Sequence, residues 1–130
     1  WITQKWSRHI CKNAYRNEVE GMVGNEDAGQ MSAWYVLTAS GLHASCPGDT
    51  RLEITSPVFD KIEFRLDHDY APGEKFTIIT HDNCSENIYI QKAVLNGEEH
   101  NKCYLDFSDI AQGGVLELYM GSSPNKEWGR

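Results

Sequence analysis

No stretch of this 130-residue chain approaches the roughly eighteen consecutive apolar residues a membrane helix needs, so no span is expected. Residue 1 opens without a basic run followed by an apolar one, which leaves no secretory leader in view; the chain starts in the middle of a helical pattern. Basic residues are few, 12 Lys and Arg against 19 Asp and Glu, for a net charge of −7. With no Lys/Arg cluster to relieve that balance, a phosphate backbone is repelled and nucleic acid is excluded as an expected partner. The four cysteines, Cys11, Cys46, Cys84 and Cys103, never form a CxxC, so a tetrahedral zinc site has no support. Two disulfides in any of three connectivities and free, partly buried thiols stay equally open. His9, His43, His81 and His100 are scattered without the spacing of a two-histidine metal site. The triplet Asn83-Cys84-Ser85 fits N-glycosylation, a pattern short enough to arise by chance and only a faint pointer to secretion.

What is present divides the chain near residue 48. Ile2, Trp6, Ile10 and Ala14 recur every fourth residue, predicting a helix over 2–18 with an aromatic-rich buried stripe. Gly21 and Gly24 then supply backbone freedom for a tight connection. From Ala28 the helical pattern resumes through Met31, Trp34, Tyr35 and Leu37, with Gly41 as terminator. After "CPGD" the period falls to two: Leu52/Ile54, Ile62/Phe64/Leu66 and Phe76/Ile78 suit half-buried strands. "NIYIQKAVL" followed by Asn96-Gly97 predicts a two-residue hairpin turn with both central residues at positive φ. "DFSDIAQGG" reads as a polar or short helical turn, and "VLELYM" as a closing strand. The expected class is α+β, with two helices over 1–48 and an antiparallel, sandwich-like β segment over 49–130. Two aromatic-faced helices cannot enclose a core alone; they must pack on the sheet or on helices outside this sequence.

The chemistry concentrates in "GNEDAGQMSAWYVL", residues 24–37. Asp27 with Gln30 three positions later fits a capping box, which would occupy both side chains with backbone amides. That leaves Asn25 and Glu26 without a task, and neighbouring carboxylates at a glycine-flanked turn repel unless a cation or a function offsets the cost. Calcium takes oxygen ligands of the kinds offered here, so Asn25 and Glu26 are candidate metal ligands. Glycoside hydrolysis separately needs two carboxyl groups, and this turn can supply one.

"GNEDAGQMSAWYVLTASGL" followed by "CPG" closely resembles the C-terminal part of the catalytic domain of glycoside hydrolase family 92, calcium-dependent exo-acting α-mannosidases. "SPVFDKIEF", "ENIYIQKAVLNG", "GGVLELYMG" and "SPNKEWG" resemble the β-rich segments that follow, so the likeness spans nearly the whole chain. The resemblance implies a far larger parent, a β-sandwich joined to an (α/α)6 barrel, with residues 1–41 as the last barrel helices. It implies a secreted or periplasmic inverting enzyme whose α-mannoside glycan sits between an acid and a base roughly 6.5–9.5 Å apart, leaving room for water. The resemblance also implies an acid upstream of residue 1 and a base in the acidic pair, placed on Asp27 with Glu26 the second choice, beside Ca²⁺. The sequence departs from the family at His43-Ala44-Ser45, where an aromatic and a proline are expected. Asp67, His68 and Asp69 suit a strand end better than a metal site. Trp6 and Trp34 belong to the core by their spacing, and Trp128 is either exposed or a docking residue. A non-catalytic carbohydrate-binding or interaction sandwich is the rival reading.

Overall fold

The computed structural model describes all of residues 1–130. Helix α1 covers Ile2–Asn13 and α2 covers Gln30–Ala39; strands follow as β1 Leu42–His43, β2 Arg51–Ile54, β3 Lys61–Arg65, β4 Lys75–His81, β5 Tyr89–Leu95, β6 Glu98–Glu99 and β7 Tyr104–Asp106, before a short helix α3, Phe107–Ala111, and β8, Gly114–Gly121. The α+β class is as expected from the change of period. The first strand begins at residue 42, directly after Gly41, whose φ of +97° ends α2. A Cβ there would meet Pro57 Cγ at 2.7 Å, so glycine is required twice over.

The strands form two sheets, β1-β2-β7 and β3-β4-β8-β5-β6. All pairings are antiparallel except one: β8 inserts between β4 and β5 and runs parallel to β4, from Phe76↔Gly114 to His81↔Tyr119. The purely antiparallel expectation is corrected there. The reason is topological, since a parallel pair needs a long crossover, and residues 82–113 supply it by visiting the other sheet through β7. Local periodicity carries no trace of such pairing. The Asn96-Gly97 turn is as predicted, with φ +51° and +86°. "DFSDIA" folds as α3 behind a reciprocal capping box between Asp106 and Asp109.

One hydrophobic cluster joins both sheets: Leu42, Ile54 and Leu105 from the first meet Phe76, Ile78, Ile90, Leu116 and Leu118 from the second. Trp128 is part of this core, and its indole N–H donates to the His100 carbonyl at 3.0 Å. Neither the exposed nor the docking role suggested by the polar tail applies to it. All four thiols are free, with Cys11 buried and the others exposed.

Helix α1 packs on the sheets by its polar face, which leaves its apolar stripe to the other partner the sequence allows, helices outside this chain. It stops at Asn13 rather than 18, and the face turned inward carries Gln4, Ser7 and Cys11, while Ile2 and Trp6 are 56% and 52% exposed. Polar chemistry explains the choice: the Gln4 Oε1 accepts the Ile90 N–H of β5 at 2.9 Å, and the Ser7 hydroxyl accepts the Ser56 N–H at 3.4 Å. Arg8 adds its Nε to the Ser56 hydroxyl at 3.2 Å and donates to the Pro57 carbonyl and to Asn83 Oδ1. The helix thus satisfies backbone that would otherwise be buried without partners, and its apolar stripe faces away from the sheets. Asn83 is held by Arg8 and Pro57, and a glycan on its nitrogen would displace that network.

Candidate active-site turn

Residues 14–29 connect the two helices. Gly21 closes the first half: its carbonyl accepts the Arg16 N–H at 2.8 Å, and a Cβ would lie 1.9 Å from the Arg16 carbonyl oxygen. The second half holds Asn25, Glu26 and Asp27, immediately before α2. Asp27, Ala28 and Gly29 occupy the left-handed region consecutively, with φ of +52°, +58° and +99°. Two of these are non-glycine, and left-handed backbone costs about 1–2 kcal/mol for each such residue. Strain of that kind persists where the surroundings over-determine it, often at functional positions.

The capping-box reading of Asp27 and Gln30 is overturned by this geometry. The N-cap of α2 is Gly29, which has no side chain to cap it, and neither Asp27 nor Gln30 supplies a capping bond. The left-handed run offsets Asp27 from the helix start, so its carbonyl, not its carboxylate, accepts the Gln30 N–H at 3.4 Å. Asp27 is exposed, and its carboxylate takes no hydrogen bond from the chain. The conflict between capping and proton transfer is therefore removed. Asn25 is likewise exposed, with its amide free of intrachain hydrogen bonds.

Glu26 is different. It is half-buried, and its Oε1 accepts two bonds from Ser32 in the first turn of α2: the hydroxyl at 2.6 Å and the backbone N–H at 3.2 Å. Its Oε2 is buried and without any partner, the only side-chain oxygen or nitrogen in the chain in that condition. A buried unpartnered polar group costs about 1–3 kcal/mol, and more when charged. The backbone here is also fixed, since the Glu26 carbonyl accepts the Met31 N–H at 3.2 Å and the Met31 carbonyl accepts the Tyr15 hydroxyl at 3.1 Å. Tyr15 stacks on Trp34 at 5.7 Å between centroids and leans on Tyr35 at 4.9 Å. Burial, with smaller effects of Cys11 and the Glu26 carboxylate, pushes the Tyr15 phenol above its usual value, so it remains a donor. An open cavity of about 420 Å³ lies alongside, lined by Tyr15, Arg16, Glu18, Met22, Ser32 and Tyr35.

Sequence reasoning found the acidic turn but not Ser32 or Tyr15. Ser32 lies six residues beyond Glu26, a separation no short motif flags; Tyr15 was hidden by reading the first helix too long. Trp34, expected in the core, is half-buried and meets His43 edge-on at 6.1 Å, while Thr38 Oγ1 lies 3.4 Å from His43 Nδ1. The departing loop at 43–45 is thus tied to α2. No three His, Cys, Asp or Glu side chains converge as a metal-holding group, at Asp67-His68-Asp69 or elsewhere; Asp67 Oδ1 instead accepts the Asp69 N–H at 3.0 Å. No helix is long and apolar enough to cross a membrane.

Comparison with known proteins gives this geometry a context. Over 130 residues the chain is 31% identical to an uncharacterized secreted glycosidase of Arthroderma benhamiae, covering 98% of this chain and 16% of that protein. Its fold matches an inverting mannosidase of family GH92 from Bacteroides thetaiotaomicron with TM-score 0.89 and 40% identity, over 99% of this chain and 17% of that one. A second GH92 α-mannosidase of the same bacterium, solved also in complex with mannoimidazole, matches at TM-score 0.88 and 31% identity, again over 98% of this chain. The chain spans about one sixth of the length of these relatives. The Glycosyl hydrolase family 92 catalytic domain matches residues 1–122, helices and strands alike, and the chain belongs to that family.

Proposed function

We propose that this chain is the C-terminal part of an exo-acting, inverting, calcium-dependent α-mannosidase, and that it contributes the general-base and calcium corner of the active site. The single observation that carries the reading is the turn 25–29: a strained left-handed run presents the free carboxylate of Asp27 beside a glutamate with one buried, unpartnered oxygen. Inversion requires a water placed between base and anomeric carbon. Asp27 accepts a proton from that water as its oxygen attacks the face opposite the leaving group. A carboxylic acid from the remainder of the parent polypeptide protonates the departing oxygen. Asp27 acts in this step as the carboxylate.

Asn25 and Glu26 fit a hard cation by donor type, and Glu26 Oε2 is an oxygen that lacks a partner. Calcium takes six to eight oxygens, so these two residues would hold it together with oxygens from elsewhere in the parent. When bound, the ion supplies positive charge that orients sugar hydroxyls and keeps neighbouring carboxylates ionised. The helices belong to the end of an (α/α)6 barrel. In support, the outward stripe of Ile2 and Trp6 on α1, with Val36 on α2, offers apolar surface to neighbours of the required kind. Secretion or a periplasmic location follows the relative named as a secreted glycosidase.

The test uses the protein at full length acting on an α-mannoside. Asp27→Asn lowers kcat by at least about 10²-fold, the lower end for loss of a general base, with KM nearly unchanged. NMR of the first-formed sugar reports inversion. Undiminished kcat in Asp27→Asn and in Glu26→Gln together would remove the base from this turn. The 130-residue chain alone releases no mannose, because the acid lies elsewhere.

A further inference from the structure

We infer that Ser32 is a positioning residue: it clamps Glu26 through one carboxylate oxygen so that the other is aimed, unpaired, at the cation. This deepens the proposed function and rests on its calcium reading. Three observations converge. Both donors of Ser32, hydroxyl and backbone N–H, go to the same oxygen, Oε1, at 2.6 and 3.2 Å, and none to Oε2. Oε2 is buried yet unpartnered, so the carboxylate is held in an orientation that is costly within this chain and becomes favourable only when a further group meets that oxygen. The clamp itself is rigid, since Ser32 sits in the first turn of α2 and the adjoining Met31 is fixed at both ends, its N–H on the Glu26 carbonyl and its carbonyl on the Tyr15 hydroxyl.

A carboxylate that a neighbour hydrogen-bonds through one oxygen loses rotational freedom, and it offers the second oxygen in a single direction. Partners of this sort are worth about 10–100-fold in metal affinity when removed. The backbone N–H persists in any substitution, so the hydroxyl is the part that mutation reads.

The experiment measures Ca²⁺ affinity by titration calorimetry of the chelator-stripped full-length protein, alongside circular dichroism to verify folding. Ser32→Ala weakens Ca²⁺ binding at least about tenfold, Ser32→Thr restores it by returning a hydroxyl, and Glu26→Gln weakens it further than Ser32→Ala. If Ser32→Ala binds Ca²⁺ within twofold of the unmodified protein while Glu26→Gln is impaired, the positioning role is overturned and the calcium site stands. If Glu26→Gln also binds normally, or the unmodified protein takes up no Ca²⁺, the calcium reading itself fails. A Ser32→Thr variant that folds but stays as weak as Ser32→Ala also counts against the clamp.

Discussion

Gln4→Met isolates the contact by which α1 is held to the sheets. Gln4 is 2% exposed, and its Oε1 accepts the Ile90 N–H in the bulged part of β5, where the ladder to β8 is interrupted between Ile90 and Lys92. Methionine keeps nearly the same length and volume, so no cavity opens and the packing term stays small. What is lost is the acceptor, and a buried N–H left unsatisfied costs about 1–3 kcal/mol. For a domain of this length each kcal/mol moves Tm by roughly 3–5 °C, so the variant should melt some ~3–15 °C lower. Gln4→Ala adds the emptied volume to the same loss and should fall further, by about 1 kcal/mol or more. Urea unfolding followed by far-UV circular dichroism gives the free-energy differences directly, provided the slopes with denaturant agree. A Gln4→Met variant within about 0.5 kcal/mol of the unmodified chain would refute the view that α1 docks through its polar face; that margin is what an ordinary surface substitution costs.

Other outcomes follow from the same coordinates. Burial raises the Cys11 thiol to about 11, so at pH 8 a maleimide should label Cys46, Cys84 and Cys103 in the native chain well before Cys11; mass spectrometry showing four equal rates would contradict its burial. The Asp49 carboxyl is held down to about 2, first by its side-chain hydrogen bonds from Arg51, so NMR should show it titrating near pH 2 and returning toward 3.8 in Arg51→Ala. Because a lowered pKa favours folding only while the group is ionised, any contribution is present above the ordinary carboxylate range and disappears as pH falls toward 2. Gly97→Ala, at φ +86°, should cost about 1–2 kcal/mol in the same urea assay through left-handed strain. Amide exchange should be slower at the fully buried Ile78 and Leu118 of β4 and β8 than at residues 22–29 of the connecting turn.

Which of these features could be read from the sequence depends on how local their causes are. The Asn96-Gly97 hairpin turn, the short helical turn at α3 and the Gly41 stop each depend on residues close to one another in the chain, and each is where its chemistry placed it. The period-two strands also emerged, because burial on one face is written into every second residue. The parallel β4–β8 pair depends on a crossover of thirty-two residues, so no window of sequence contains it. Helix α1 failed in a more instructive way. Its apolar stripe was correctly located, but of the two partners left open for it the sheets are not the one, since periodicity says which residues share a face and not what that face meets. The Ile90 N–H that Gln4 accepts lies in β5, far from α1 in the chain, where no local pattern announces it. At the candidate site the acidic residues were legible by type, whereas the left-handed run 27–29 was not: Asp27 and Ala28 have no intrinsic preference strong enough to announce two consecutive positive φ values.

The same fact joins the fold to the proposed chemistry. A strained turn and an unpartnered carboxylate oxygen both raise the free energy of this segment within the chain. The helices on either side expose Ile2, Trp6 and Val36, surface that a buried barrel helix keeps from water. Both deficits lie on the helical side, while the two sheets close their own core around Phe76, Leu105 and Leu118. The β-rich part therefore acts as the anchor, and Arg8, Gln4 and Ser7 hold α1 to it by polar contacts whose geometry admits little sliding. Just beyond the end of that helix Tyr15 reaches the Met31 carbonyl, and Ser32, the next residue of α2, reaches Glu26. Hydrogen bonds thus hold both steps of the route from the sheets to the carboxylate: α1 to the sheets, and the segment after α1 to the turn that carries Glu26.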